Sequence, residues 1–256
     1  LQAAACMTGL DDAKIAQLPN TTGMRNEILI QKGHRNHYDN CYRIAGANLV
    51  EVDTVDDTTG EKLRSAITEK TAGVAFAWHA RFSGTGMSEI INIAHSSHLP
   101  VIVDAAAELP PLENLTKFTD MGADMVAFSG GKGIGGPQSS GLLAGKSELV
   151  EAAVMNSLNL DSSVAGIGRP MKVSKENIVG LVTAIQLFTD SDEAAEWQGW
   201  QSKADYVAER LDGIDGLRVE IEDHPSERQG PQPVLYFEDD YNGPSIGEII
   251  DQLKSG

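Results

Sequence analysis

The chain has 256 residues, 41% hydrophobic and 22% charged, enough to bury one α/β core plus the start of a second unit, so disordered and fibrous structures are excluded. Twenty Lys+Arg against 37 Asp+Glu give a formal net charge of -17, which repels polyanions and argues against broad nucleic-acid or anionic-membrane contact. No apolar run reaches the roughly 20 residues of a membrane helix, and LQAAACMTGLDDAK lacks the basic-then-apolar order of a signal peptide, so a cytoplasmic protein is expected.

Taken in chain order, short apolar runs alternate with amphipathic stretches, the rhythm of βαβ units and a mostly parallel sheet. Strands are expected at 15–19 (IAQLP), 48–52, 72–78, 101–107 and 125–130, and EILIQ at 27–31 is also strand-like. SGLLAG at 140–145 follows so closely that an antiparallel strand is expected. Helices are expected at 37–46, 61–70, 87–98 and 112–121. Cys6 and Cys41 lie far apart without CxxC or Cys/His spacing, so two buried free thiols are expected and no metal site. After Arg169 the rhythm becomes one long helical stretch over 173–214 and then a strand-like LRVEIE, which divides the chain into 1–168 and 169–256. LQAAACMTG reads as the middle of a helix and SIGEIIDQLKSG as a helix opening a domain, so a fragment at both ends is expected.

In open α/β sheets, ligands sit at the carboxyl ends of strands. Asp104 ends VIV there, and Lys132 follows MVAF on a glycine turn after Ser129, Gly130 and Gly131. Two readings fit such a pair. The plainer is a salt bridge or two solvated charges. The sharper is a pyridoxal phosphate site, with the lysine in a Schiff base and the aspartate keeping the pyridine nitrogen protonated.

The segment VDAAAELPPLENL…GADMVAFSGGKGIGGPQSSGLLAG, residues 103–145, resembles the fold type I pyridoxal phosphate enzymes of the selenocysteine-synthase-like group, which includes an amino-sugar-acid ammonia-lyase. GMRNEILIQKGHRNHYDN and GRPMKVSKENIVGL extend the resemblance to about Lys175. The resemblance implies a large α/β cofactor domain with the start of a small C-terminal α/β domain. It also implies pyridoxal 5'-phosphate as cofactor, Lys132 as Schiff-base lysine, Asp104 as partner of the ring nitrogen and Ser129 as a phosphate contact. His34 and His37 are candidates to stack on the cofactor ring, and Arg35 and Arg169 to take a substrate carboxylate or phosphate. His79 and Arg81, after the strand ending FAW, are placed for substrate contacts. Glu108 either supports the pocket or simply begins a helix. The glycine-rich turn that holds the cofactor phosphate in this group would lie just upstream of Leu1.

The activity so implied is a lyase that removes water and ammonia from an amino acid or a phosphorylated amino-sugar acid to give a 2-keto-3-deoxy acid. A seryl-tRNA selenium transferase and a non-catalytic scaffold are the alternatives. The resemblance further implies a homodimer or higher homo-oligomer.

Overall fold

A computed structural model describes the whole chain apart from residues 55, 58, 82, 158–164, 223–229 and 256. Helices α1 (Gln2–Thr8) and α2 (Asp12–Gln17) precede strand β1 (Glu27–Gln31). Then come α3 (Asn40–Arg43), β2 (Asn48–Val52), α4 (Glu61–Ala66), β3 (Thr71–Ala77), α5 (Met87–Ser96) and β4 (Val101–Asp104). The first unit is completed by α6 (Asn114–Asp120), β5 (Met125–Ser129), β6 (Gly141–Gly145), α7 (Ser147–Asn156) and α8 (Lys175–Thr189). The sheet has the order β2-β1-β3-β4-β5-β6; β1 to β5 run parallel and β6 returns antiparallel beside β5, as the short 130–140 link predicts.

Alternation along each strand sends side chains to opposite faces, and both faces are covered. Leu29, Val74, Phe76, Val103, Val126 and Phe128 pack with Leu63, Ile90, Phe118 and Ala184 of α4, α5, α6 and α8. The intervening Ile28, Ile30, Ala75, Ile102 and Met125 pack with the alanines of α1 and with Ala152 and Ala153 of α7. Burial of each large aliphatic side chain contributes about 1.5–3 kcal/mol, so the sheet is fixed from both sides and its carboxyl edge is a rigid platform.

The expected strand at 15–19 is instead the end of α2. Asp11 caps that helix, its Oδ1 accepting the N–H groups of Ala13 (3.0 Å) and Lys14 (3.1 Å). Ile15 and Leu18, three apart, bury one helical face. The sheet begins at EILIQ. The run at 101–107 stops being a strand at Asp104, whose Oδ1 accepts the N–H of Ala106 (3.0 Å) and turns the chain. The helices are shorter than expected, α3 most of all. Cys6 is half-buried and Cys41 is exposed, so the expectation of two buried thiols fails for Cys41.

The chain divides into two compact units between Asp190 and Ser191. Leu181, Ala184, Ile185 and Phe188 pack α8 onto the first core, so this helix stays with the sheet although the change of rhythm lies at 168/169. The helical stretch 173–214 is two helices, α8 and α9 (Glu193–Leu211), the second capped by Asp192 through Ala195 N–H at 3.0 Å. In the second unit α9 packs on an antiparallel pair, β7 (Leu217–Glu222) and β8 (Gln232–Phe237), followed by α10 (Ile246–Ser255). Among the described residues no helix is long and apolar enough to cross a membrane.

Candidate active site

The carboxyl edge of β3, β4 and β5 opens into a cavity of about 620 Å³. Asp104 and Ser129 enter it from the ends of β4 and β5, and Lys132 from the turn beyond β5. Ala106, Ala107 and Ala127 leave room beside them, and Glu108 closes one side. His37, Tyr38, Cys41 and Tyr42 come from the segment around α3, and His79 from the turn after β3. Leu1, Gln2 and Ala3 form part of the wall, with Gln2 Nε2 donating to the carbonyls of Val103 and Met125 at 3.2 Å each.

The lysine turn is held by close backbone approaches that demand glycine. A Cβ on Gly133 would sit 1.9 Å from the Leu109 carbonyl oxygen, and one on Gly131 would sit 2.7 Å from Gln138 Cα. Gly130 N–H donates to Ser140 O at 3.0 Å, Gly136 N–H to Gly130 O at 2.7 Å, and Gln138 Nε2 to Gly131 O at 3.1 Å. The Lys132 carbonyl accepts Gly135 N–H at 2.8 Å, but its side-chain amine has no hydrogen bond and no ion pair among the described residues and stands free at the cavity. The plainer expectation, a direct Asp104–Lys132 salt bridge, is absent among the described residues.

The predicted site residues separate into two groups. Lys132, Asp104, Ser129, His37 and His79 line the cavity. His34, Arg35, Arg81 and Arg169 do not. Arg35 is engaged by Asp39 through Nε and by Glu51 through Nη1 at 2.9 Å. Arg81 lies over the Trp78 ring, 5.3 Å from its centroid, and Arg169 is exposed on a short 3-10 turn. Tyr42, Cys41 and Gln2 also line the cavity and were not anticipated. Burial, with Asp104 and Asp39 nearby, pushes the Tyr42 phenol above its usual range. The wall position of Tyr42 follows from a turn that local periodicity does not reveal.

His34 is fully buried, edge-on to Phe76 with ring centroids 4.5 Å apart. Its Nδ1 accepts the N–H of Ala77 (3.1 Å), so the proton of the neutral ring lies on Nε2, which donates to Ser83 O (3.1 Å). Gln31 Nε2 also lies 3.1 Å from that nitrogen but donates to Thr85 O (3.0 Å), while Gln31 Oε1 accepts Thr85 N–H (2.7 Å) and the Thr54 hydroxyl (2.6 Å). His34 therefore braces the β1 and β3 ends behind the cavity, and stacking on a cofactor is closed to it. Burial lowers its pKa to about 4 from 6.5.

The folded state thus binds this proton less tightly than the unfolded chain. Stability from His34 is fully present above pH 6.5 and is lost as pH falls from there toward 4. At about 1.4 kcal/mol per pH unit, the loss is roughly 3 kcal/mol. Urea unfolding at pH 7 and pH 4.5 measures it. His34→Asn keeps an acceptor for Ala77 and should flatten the slope; an unchanged slope would assign the acid sensitivity to other groups.

A six-stranded, mostly parallel sheet carrying Asp104 and Lys132 on its carboxyl edge defines the fold type I class of α/β enzymes. The aminotransferase class-V family model matches residues 25–239, and the chain belongs to that family. It is 32% identical to a 5'-C-glycyluridine monooxygenase-decarboxylase of a Streptomyces species, over 99% of this chain and 63% of that protein. It is 35% identical to the D-glucosaminate-6-phosphate ammonia lyase of Salmonella typhimurium, over 86% of this chain and 57% of that protein. A solved D-glucosaminate-6-phosphate ammonia-lyase superposes with a TM-score of 0.76 at 31% identity, covering the whole of this chain and 67% of the other. The chain thus spans about three fifths of the length of the two curated relatives.

Proposed function

We propose that this chain is the cofactor-binding part of a pyridoxal-phosphate-dependent lyase, which acts on a β-hydroxy amino acid or phosphorylated amino-sugar acid, expelling the β-hydroxyl as water and taking water up again as ammonia leaves, to give a 2-keto-3-deoxy acid. The observation that carries the reading is the Lys132 amine, unpaired among the described residues, sharing one cavity with the Asp104 carboxylate. The donor set suits the cofactor: an amine for its aldehyde, a carboxylate with one oxygen uncommitted for its ring nitrogen, and the Ser129 hydroxyl for its phosphate. Beside them, methyl-sized walls at Ala106 and Ala127 leave room for a flat ring. When bound, pyridoxal phosphate supplies an electron sink that acidifies the proton on the substrate Cα.

The chain's own residues do the rest. Lys132 Nζ takes up the Cα proton, and the rigid glycine turn keeps it within reach of that atom. Asp104 would hold the ring nitrogen with one oxygen, its other being fixed by Ala106 N–H. Tyr38, Tyr42 and Leu1 supply the apolar walls that limit water. Since Arg35 is ion-paired and neither Arg35 nor Arg169 lines the cavity, His37 and His79 are the groups proposed to face the distal part of the substrate.

The same reading places the protein in the cytoplasm as a homodimer or higher homo-oligomer, which the exposed Ile178, Val179 and Val182 on α8 support. The net charge of -17 argues against the seryl-tRNA alternative. The cofactor-loaded protein should convert D-glucosaminate 6-phosphate to keto acid and ammonia, read by a coupled dehydrogenase assay. A coloured, loaded protein that forms no keto acid from it, or from simple β-hydroxy amino acids, would overturn the proposal. Oxygen uptake in its place would redirect it toward the chemistry named for the Streptomyces relative.

A further inference from the structure

Glu108 follows Asp104 by four residues, on the turn that leaves β4, and lines the same cavity as Asp104 and Lys132. Its backbone is fixed at both ends: its N–H donates to Ala105 O (3.1 Å), and buried Asn114 donates through Nδ2 to its carbonyl (2.6 Å). Its carboxyl group, by contrast, has no hydrogen bond and no ion pair among the described residues. A half-buried carboxyl on a rigid turn, free at a reaction cavity, is placed for proton transfer.

We infer that Glu108 is the acid that protonates the departing hydroxyl in the elimination proposed above, on which this inference rests. Lys132 Nζ takes the Cα proton, and the Cβ–O bond breaks with its electron pair on oxygen. That oxygen accepts the proton carried by Glu108 and leaves as water. Glu108 regains a proton from solvent and Lys132 releases the Cα proton to solvent, so the substrate has lost one H and one OH.

The surroundings suit the role. Burial pushes the Glu108 carboxyl above its ordinary value and Asp104 on β4 adds to this, while Arg81 after β3, Lys132 after β5 and Lys117 on α6 oppose it. His79, from the turn after β3, also lines this cavity. The net direction is upward, so the proton is retained closer to neutral pH than on an exposed glutamate.

Glu108→Gln keeps the shape and removes the proton. In D2O, the cofactor-loaded E108Q protein is expected to exchange the substrate Cα proton at near wild-type rate while elimination falls by about 10²–10⁴-fold. Equal losses in exchange and elimination would show a merely structural role and overturn the inference, as would unchanged elimination. If wild type itself does not eliminate, the functional reading fails, whatever E108Q does. In cofactor-free wild type, carbon NMR of labelled glutamate should show one resonance, missing in E108Q, that titrates above the usual range; ordinary titration would overturn the inference. Should E108Q not fold, wild type decides: elimination must fall with rising pH along a limb that exchange lacks, and coincident profiles would reject Glu108 as the acid.

Discussion

Lys132→Ala is expected to abolish the visible colour of the cofactor-loaded protein and to lower elimination by at least the 10²–10⁴-fold that one positioned proton-transfer group contributes. Two functions disappear with one amine: the covalent hold on the cofactor aldehyde and the uptake of the Cα proton. The loss should be chemical rather than structural. Lys132 is exposed, its side chain forms no hydrogen bond or ion pair among the described residues, and it sits on a turn whose close approaches are made by the backbone of Gly131 and Gly133. The melting temperature of the cofactor-free variant should therefore stay within about 2 °C of cofactor-free wild type, since surface changes of this kind cost within about 0.5 kcal/mol. Lys132→Arg sharpens the test, because it keeps the positive charge but offers neither a neutral nucleophile nor a base. Borohydride reduction followed by digestion should mark position 132 in wild type and nowhere in either variant. A coloured Ala variant, or trapped cofactor at another lysine, would remove the basis of the proposed reaction.

Asp124→Ala is expected to destabilise the first unit by about 3 kcal/mol without touching the cavity, because it removes a buried hub at the opposite end of the sheet. The Asp124 side chain is 3% exposed. It accepts the N–H of Val101 at 2.7 Å, Lys146 Nζ at 2.6 Å and His95 Nε2 at 2.8 Å, so one carboxylate ties the starts of β4 and β5 to α5 and to the end of β6. Removal strands the buried Val101 N–H, at about 1–3 kcal/mol, and loses charge-assisted bonds. Lys146 adds little, because its side chain is 63% exposed and water replaces the partner. For a unit of this size the melting temperature should fall by about 6–12 °C. Calorimetry checks it, and a fall below about 2 °C would mean that the hub relaxes without loss.

Burial alone would raise the Asp124 carboxyl, but the bonds from Lys146, Val101 and His95 outweigh it and hold the group below the carboxylate range. Its contribution is therefore present above about pH 4 and disappears as pH falls through its lower folded value. The His34 contribution is lost at higher pH, between 6.5 and about 4, which lets the two be measured apart.

The two groups on which the proposed reaction rests were legible because of where they stand in the pattern. Asp104 is the first polar residue after VIV, and Lys132 follows MVAF across a glycine turn, so strand order alone put both on the carboxyl edge. The alternation in AGVAFAW and VIVDAAA likewise carried the sheet, since period-two burial is a local property. IAQLP failed for a local reason too: five residues do not distinguish a buried strand from a helix end, and the cap at Asp11 lies outside the run.

What the sequence by itself determined was the α/β class, the Asp104–Lys132 pair and the acidic surface, all of which follow from spacing or composition. Tertiary structure alone decided which of the neighbouring polar residues line the cavity. His34 and His37 are three apart, yet the first is consumed by Ala77 N–H, 43 residues along the chain, and the second faces the cavity. Arg35 is taken by Glu51 from the adjacent strand, and Glu108 acquires its environment from β3, β4, β5 and α6 together. The physical reason is common to all three: a side chain's charge and freedom depend on which distant groups desolvate or bond it, and those meet only after the sheet has closed.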